Sequence, residues 1–220
     1  MTDTSVRVTL GVKERILDAA ERLFCDLGID ATSLRQITTA AEVNLAAVNY
    51  HFQSKDELFR AVYRRRLQPV NEERVAMLIA LETKYGTKPV PLGMLLDAFY
   101  VPVVNAAAKL SATGVPMAKT MGRMFSDPHP VVDRILTEEV APMAAKFNRA
   151  FGRALPHLTQ KELFWRMYLS FGVLAHALAS VNKITLISGG VFQGDDMQEV
   201  LTQIKAFARA GLSAPTKEGK

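Results

Sequence analysis

Side chains that can hydrogen-bond to a nucleic acid are concentrated between Asn44 and Lys55. The amide of Asn49 both donates and accepts, which matches the N7 and N6 groups that adenine presents in the major groove of DNA. Tyr50, His51 and Lys55 can each donate a hydrogen bond to a phosphate oxygen. This is the chemistry of base reading combined with backbone anchoring, and it requires an element that presents these groups on one surface.

Residues for catalysis or for metal binding form no recognisable pattern. The four histidines, at positions 51, 129, 157 and 176, are scattered, and the single cysteine, Cys25, cannot make an internal disulfide. The sequence contains no phosphate-binding loop, no dinucleotide fingerprint and no nucleophile elbow. We therefore expect no catalytic residues, no metal and no cofactor, and we expect that the chain is not an enzyme. The alternative is a helical enzyme or small-molecule-binding protein whose N-terminal part is purely structural.

Two short helices are predicted to position the polar groups. Ser33 begins a capping box with Gln36, which starts one helix, and Asn44 can cap the next. Two short helices joined by three or four residues form a helix-turn-helix, in which the second helix lies in the major groove. Its side chains would include Ala46 and Asn49, where a core helix would carry Leu or Ile. By shape alone, a helical hairpin buried in a bundle remains the alternative.

The stretch from Thr32 to Leu58 resembles the DNA-binding head of the TetR family of bacterial regulators. The resemblance rests on the pattern T-S-L-R-x-I-x-x-x-A-x-V-N-x-x-x-V-N-Y-H-F-x-S-K and extends over roughly residues 13–66. It implies phosphate contacts by one set of residues and base contacts by another. The phosphate set is Ser33, Leu34, Arg35, Tyr50, His51 and Lys55, and the base set is Asn44, Ala46 and Asn49. Glu42 departs from the family, which often has Gly in this turn.

Composition favours a globular protein. The chain has 220 residues, of which 49% are hydrophobic and 22% charged. The N-terminus lacks an apolar signal core and no apolar run approaches a membrane span, so we expect a cytoplasmic protein. The formal net charge of +5 divides into +1 over residues 1–66, from ten basic and nine acidic residues, and +4 over the remainder. Because the N-terminal part is not a basic block, a few placed cations and backbone amides must bind any DNA.

The hydrophobic pattern predicts an all-α chain, with a DNA-binding domain at residues 1–66 and a ligand-binding and dimerisation domain at 67–220. A first helix should end at Gly28, and a helix that begins at Ser54 should kink or break at Pro69. The arginines at 64–66 form either a phosphate patch or a solvated helix face. Later helices are predicted over residues 92–110, 116–125, 131–155 with a kink at Pro142, 159–182 and 196–210.

The last two helices carry more apolar and small residues than one core requires, which suggests a partner helix. Either they pair within a monomer or they meet a second copy, and TetR-family proteins form dimers through a four-helix bundle of such helices. The resemblance thus implies a homodimer. The expected interface residues are Phe171, Gly172, Ala175, Ala179, Val200, Ile204 and Phe207.

The middle helices are rich in Met and Phe, which either line a pliable apolar pocket or form plain core. The stretch Leu163-Phe164-Trp165-Arg166 is loosely similar to fatty-acid-responsive regulators of the PsrA type, which implies a long-chain fatty acid or acyl-CoA as effector. The expected pocket residues are Phe99, Val103, Met121, Met124, Phe125 and Phe147, with Arg123 and Arg166 near the head group. The resulting prediction is a repressor that a small apolar ligand releases from double-stranded DNA.

Overall fold

The computed structural model describes residues 11–111, 129–191 and 196–216, and within these ranges the secondary structure is entirely helical. The chain divides into two compact units after Arg65. The helices, in chain order, are α1 Val12–Leu27, α2 Leu34–Ala41, α3 Leu45–Phe52, α4 Lys55–Tyr85, α5 Leu92–Ser111, α6 Pro130–Ile135, α7 Ala141–Ala154, α8 Gln160–Ile187 and α9 Met197–Ser213; a π-helical turn, Leu136–Val140, joins α6 to α7. The predicted all-α fold is confirmed, whereas the predicted helix at 116–125 lies outside the described residues.

Capping side chains start the helices where the sequence predicted. The Ser33 hydroxyl accepts from Gln36 N–H, Asn44 Oδ1 accepts from Ala47 N–H, and the Ser54 hydroxyl accepts from Glu57 N–H. Thr159 and Glu162 form a full capping box at the start of α8. Each cap satisfies an orphan amide that would otherwise destabilise the first turn.

The first unit is a small helical head around an apolar centre. Helix α1 buries Ile16 and Phe24 against α2 and α3, and the Phe24 ring meets Phe59 of α4 edge to face at 5.2 Å. Ile37 of α2 and Val48 of α3 are fully buried. Gly28 ends α1 with a φ of 91°, a conformation that other residues rarely adopt. The buried sides of α2 and α3 thereby determine which of their side chains face outward.

Proline does not interrupt α4, so of the two outcomes predicted at Pro69, a kink or a break, the break is wrong. The helix continues from Lys55 to Tyr85 with Pro69 inside it. An interior proline costs about 3 kcal/mol because it removes one hydrogen bond and crowds the preceding turn. Buried Leu67 and Val70 on either side of the proline supply packing that offsets this cost.

Pro142 is accompanied by a change of helix type. The π-helical turn Leu136–Val140 immediately precedes α7, whose second residue is Pro142. Because proline has no N–H to donate to the preceding turn, the local ladder is already incomplete, and a wider turn fits there. The predicted single helix is therefore two helices with a π-helical joint.

Helix α5 is the centre of the second unit. It packs against α7, α8 and α9, and it buries Leu95, Tyr100 and Val103 completely. Its segment Leu92–Leu110 is the one described helix that is long and apolar enough to cross a membrane, and half of that segment is buried inside the protein. The expectation that no apolar run approaches this length is thus corrected, and the burial is that of a core helix.

Candidate nucleic-acid interface

The turn between α2 and α3 is closed by a residue in the left-handed conformation. Glu42 has φ 54° and ψ 50°, and the next amide, of Val43, donates to the Thr38 carbonyl at 3.0 Å. A residue with a side chain costs roughly 1–2 kcal/mol in this conformation, which explains why glycine suits the position. The turn nevertheless forms with glutamate, so the departure at Glu42 does not alter the arrangement of the two helices.

Helix α3 separates cleanly into a buried and an exposed face. Val48 and Phe52 are buried in the head, whereas Ala46, Asn49 and Tyr50 are exposed, with Tyr50 at 84%. Because helical residues three and four apart share a face, the exposed set forms one surface. The structure therefore brings together the residues that were predicted to read bases and bind phosphates on this helix.

Two further polar residues lie at the ends of α3. Asn44 is exposed, but its Oδ1 caps the helix, which leaves its amide nitrogen for a base contact. His51 is also exposed, and its ring meets that of Tyr50 edge to face at 5.0 Å. Leu45 is half exposed beside Asn44. Leu45 was not among the residues predicted to contact DNA, although an apolar residue directly after a cap and before Ala46 could have indicated contact with a thymine methyl group.

A shallow groove of about 460 Å³ lies beside the start of α2 and is lined by Ser33 and Arg35, two of the predicted phosphate-binding residues. Ser33 and Arg35 are exposed, and Leu34 is half-buried. The Ser33 hydroxyl is engaged in the capping box, so the amides of the first turn, rather than the hydroxyl, are the natural anion donors. Thr39 lines the same groove one turn after Arg35; this i, i+4 spacing was the available signal for a residue that the sequence analysis missed.

Lys55 is held by the protein itself. Its half-buried ammonium donates to the Ile29 carbonyl at 2.9 Å and to the Thr32 carbonyl at 3.2 Å. It thereby ties the start of α4 to the loop between α1 and α2. An ammonium has three donors, so a phosphate contact is compatible with this role. No local pattern could have revealed the tie, because its partners are 23 and 26 residues away.

Arg65 belongs to an ion-pair cluster rather than to a solvated basic face. Its guanidinium pairs with Glu14, Asp18 and Glu21 on α1, and Glu21 is almost fully buried. Burial alone would lower the pKa of Arg65, but the hydrogen bond with Asp18 and the charge of Glu21 outweigh it, so the pKa is raised. Arg65 is therefore positively charged at any physiological pH and fixes α4 on α1 within the head.

The expected ligand residues that the structure describes are core residues. Phe99, Val103 and Phe147 are buried, and the Phe99 and Phe147 rings lie 5.1 Å apart. Arg166 lies elsewhere: its guanidinium donates to carbonyls at the end of α9, among them Ala214 and Gly211. It serves as a C-terminal cap of α9. The remaining candidates, Met121, Arg123, Met124 and Phe125, lie outside the described residues.

The expected interface residues divide into three groups. Gly172, Ala179 and Phe207 are exposed; Phe171, Ala175 and Val200 are half-buried. Ile204 is 4% exposed in the single chain, because α9 turns it toward the core of its own unit, so it does not belong to a free surface. Helix α8 also exposes large apolar side chains that the prediction omitted, namely Phe164, Trp165, Tyr168 and Leu169. It extends to Ile187 instead of 182, which adds exposed Ile184 and Leu186.

Comparison with known proteins identifies both units. Residues 16–62 match the family described as bacterial regulatory proteins, tetR family, and residues 97–211, just over half of the chain, match the tetracyclin repressor-like C-terminal domain. The chain is 41% identical over 51 residues to the transcriptional regulator AcrR of Shigella flexneri, which is 23% of this chain and 24% of AcrR. It is 31% identical over 101 residues to the transcriptional repressor BepR of Brucella suis biovar 1, which is 46% of this chain and 43% of BepR.

These curated relatives are thus matched over less than half of their own length. A solved structure of a candidate fatty acid metabolism regulator from Clostridium perfringens matches with a TM-score of 0.60 at 16% identity, over 92% of this chain and all of that chain. The likeness shows that this chain has the same fold as that protein. The two curated relatives are transcriptional regulators, which agrees with the prediction that the chain is not an enzyme.

Proposed function

The chain belongs to the TetR family of bacterial regulatory proteins, and from this premise we propose that it is a ligand-responsive DNA-binding repressor. The observation that carries the proposal is the outward face of α3, where exposed Ala46, Asn49 and Tyr50 stand opposite buried Val48 and Phe52. A helix of this kind after a tight turn can enter the major groove of DNA. The choice of a repressor over an activator rests on analogy with the transcriptional repressor BepR.

The DNA contacts are assigned by position and chemistry. We assign Asn44, Ala46 and Asn49 to base edges. The backbone anchors are the first-turn amides of Leu34 and Arg35, which follow the Ser33 cap of α2, together with Tyr50, His51 and Lys55. The head carries a net charge of only +1, so discrete contacts of this kind, rather than a broad basic surface, provide the affinity.

Operator recognition requires two heads. A two-fold dimer places two recognition helices at half-sites about 34–36 Å apart, and each half-site contributes to one binding free energy. The exposed apolar side chains of α8 and Phe207 of α9 support a homodimer, because Phe164 and Tyr168, like Trp165 and Leu169, lie one turn apart on α8, and clustered exposed apolar residues mark an interaction surface. We place the second copy on this surface and the protein in the cytoplasm.

Release follows from linkage between two sites. An effector that binds more tightly to a dimer with mis-spaced heads lowers operator affinity by its differential affinity for the two states. The apolar core around Phe99 and Phe147 suits a small apolar effector. A long-chain fatty acid or acyl-CoA is our first choice, supported by the sequence resemblance and by the fatty acid regulator among the similar structures.

A salt-dependent shift assay with promoter DNA tests the proposal. We expect a discrete complex whose affinity falls as a power of the salt concentration, with a slope set by the number of phosphate contacts. Competition with unrelated DNA should leave the complex with operator DNA intact. A protein that binds no DNA, or all DNA equally well, is not a specific repressor, and the head would then be only structural.

A further inference from the structure

A buried cation lies in the second unit, and the proposed function does not use it. Arg74 of α4 is 3% exposed. Its Nε donates to the Phe99 carbonyl at 2.7 Å and its Nη1 to Asn71 Oδ1 at 3.2 Å, while the guanidinium carbon lies 4.5 Å from the centre of the Phe99 ring. A charge at this depth is costly to keep and acts strongly on its surroundings, because little water screens it.

A phenol with an unsatisfied hydroxyl lies in the field of this cation. Tyr100 is fully buried, and its hydroxyl forms no hydrogen bond with any residue that the structure describes. The nearby hydroxyl of Ser170 donates to the Met167 carbonyl at 2.9 Å. Burial raises the pKa of Tyr100. The neighbouring Ser170 side chain and the positive charge of Arg74 lower this pKa, but by less than burial raises it. The phenol is therefore a neutral donor at physiological pH.

We propose that Arg74 and Tyr100 bind the head group of an effector that is a monocarboxylate with an apolar body. A guanidinium and a phenol are both donors, so they match an acceptor that carries one negative charge. The neighbouring Phe99, Phe147 and Phe151 supply apolar contact for the body of the acid. This inference rests on the proposed effector-controlled function and narrows it, because the thioester of an acyl-CoA has no charge to place against Arg74.

The site is closed by packed aromatic rings. The Phe99 ring is 5.1 Å from Phe147 and 6.4 Å from Phe151, in edge-to-face packing. Protein interiors are close-packed, so an acid can enter only when these rings separate. Phe99 lies on α5, and its two partners lie on α7. Binding therefore favours a different packing of α5 against α7. The acid then has a higher affinity for that state than for the closed one, and release of DNA requires such a difference in affinity.

The competing explanation is purely structural: Arg74 satisfies a carbonyl of α5 close to Pro102, and the fold tolerates the Tyr100 hydroxyl. The variant Tyr100→Phe distinguishes the two, because it removes only the hydroxyl. Replacement of Arg74 would also release the Phe99 carbonyl and Asn71, so loss of folding would explain its effect. Tyr85→Phe is the matched control, since the Tyr85 hydroxyl contacts Met94 Sδ at 3.3 Å in the same unit.

The experiment measures the binding of dodecanoate and of 1-dodecanol to the full-length protein by calorimetry and by the shift in melting temperature. We expect the native protein and Tyr85→Phe to prefer the acid by about tenfold or more, as a hydrogen bond to a charged group implies. Tyr100→Phe should lose about tenfold in affinity for the acid and little for the alcohol. Its melting temperature without ligand should be unchanged or higher, because an unsatisfied buried hydroxyl is gone.

Three results would overturn the proposal: no binding of dodecanoate, equal affinity for acid and alcohol, or an undiminished preference for the acid in Tyr100→Phe. A DNA shift assay on the same samples separates this failure from failure of the proposed function. If the acid preference is absent while operator DNA is bound, only the carboxylate site is wrong. If the native protein binds no operator DNA, the repressor function is wrong whatever the acid does.

Discussion

Asn49 is the residue whose chemistry most directly relates this structure to base recognition. It is exposed on α3, one turn before the buried Phe52, and an exposed asparagine contributes little to the stability of its own helix. Its amide can pair with two groups of one adenine, whereas the methyl group of Ala46 can contact only thymine. The specificity at one position of each half-site should therefore depend on Asn49.

Asn49→Ala should relax the preference at that one position and lower the affinity for the preferred base by about 1–3 kcal/mol. Site selection with the variant and the native protein measures this directly. Asn105→Ala, a half-buried change on α5, is the control and should leave the preference unaltered. Identical preferences for Asn49→Ala and native protein at every position would remove Asn49 from the base-reading set.

A single variant can separate the structural role of Lys55 from its proposed phosphate contact. Loss of its bonds to the Ile29 and Thr32 carbonyls should lower the stability of the head by about 1–3 kcal/mol in Lys55→Ala, measured by denaturant unfolding. Loss of a phosphate contact should reduce the salt slope of DNA binding by about 1, equally for all sequences. A less stable head with an unchanged salt slope would leave Lys55 with only its structural role.

At the scale of elements, the sequence predicts those helix boundaries that depend on hydrogen bonds between residues close together in the chain. Ser33, Asn44 and Thr159 reach amides three residues away, so the helix starts they produce were predictable. Helix propensity alone allowed a break at Pro69, but the helix continues there, because Leu67 and Val70 on either side of the proline are buried. Arg166 and the carbonyls at and just beyond the end of α9 are 45 to 49 residues apart, and nothing in the sequence links them. The buried Arg74 was missed for the same reason.

The capping box of α8 makes a prediction about pH. The Thr159 hydroxyl donates a hydrogen bond to the Glu162 carboxylate, and the Thr159 amide donates a second one. These bonds, with the hydroxyl contributing more, hold the pKa of Glu162 below the ordinary glutamate value. A lowered pKa in the folded state means that the stabilisation is present above the unfolded pKa and is lost as the pH falls through the folded one. As the pH falls below the ordinary glutamate pKa of about 4.3, the native protein should therefore lose more stability than Glu162→Gln.

Glutamine suits this comparison because Gln36 already completes the capping box of α2 in the same protein. It can accept from the Thr159 amide but does not titrate. Thermal melts of both proteins across this pH range provide the measurement. Parallel loss of melting temperature in the two proteins would show that the charge of Glu162 contributes nothing to the stability of α8.

At the scale of the whole molecule, the question is whether two chains act together. Helix α8 exposes Phe164, Trp165 and Tyr168 beside Gly172, so an apolar face with a small residue within it is available for a second copy. The composition of these helices predicted the surplus of apolar residues. It could not predict that Ile204 turns inward, because the register of α9 on α5 depends on contacts such as Lys205 with Asp97.

Gly172→Arg should convert the protein into a folded monomer with poor operator binding. A Cβ built at Gly172 meets nothing within 4 Å, so arginine fits the single chain, whereas two arginines would meet across a two-fold axis. It is a cleaner test than Ala175→Arg, since Ala175 is half-buried in its own chain. Sedimentation and circular dichroism give mass and helicity, with exposed Thr202→Arg on α9 as control. A Gly172→Arg protein that stays dimeric would place the interface elsewhere.

The central claim, sequence-specific DNA binding by a two-fold pair of helix-turn-helix heads, is tested most directly by selecting binding sites. The purified protein is incubated with a random duplex library, and the bound fragments are sequenced. Enriched sites should contain two half-sites related by a two-fold axis, with centres one helical turn of about 10 base pairs, or a multiple of it, apart. Recovery of fragments without a shared sequence, or of a single site without symmetry, would contradict the account.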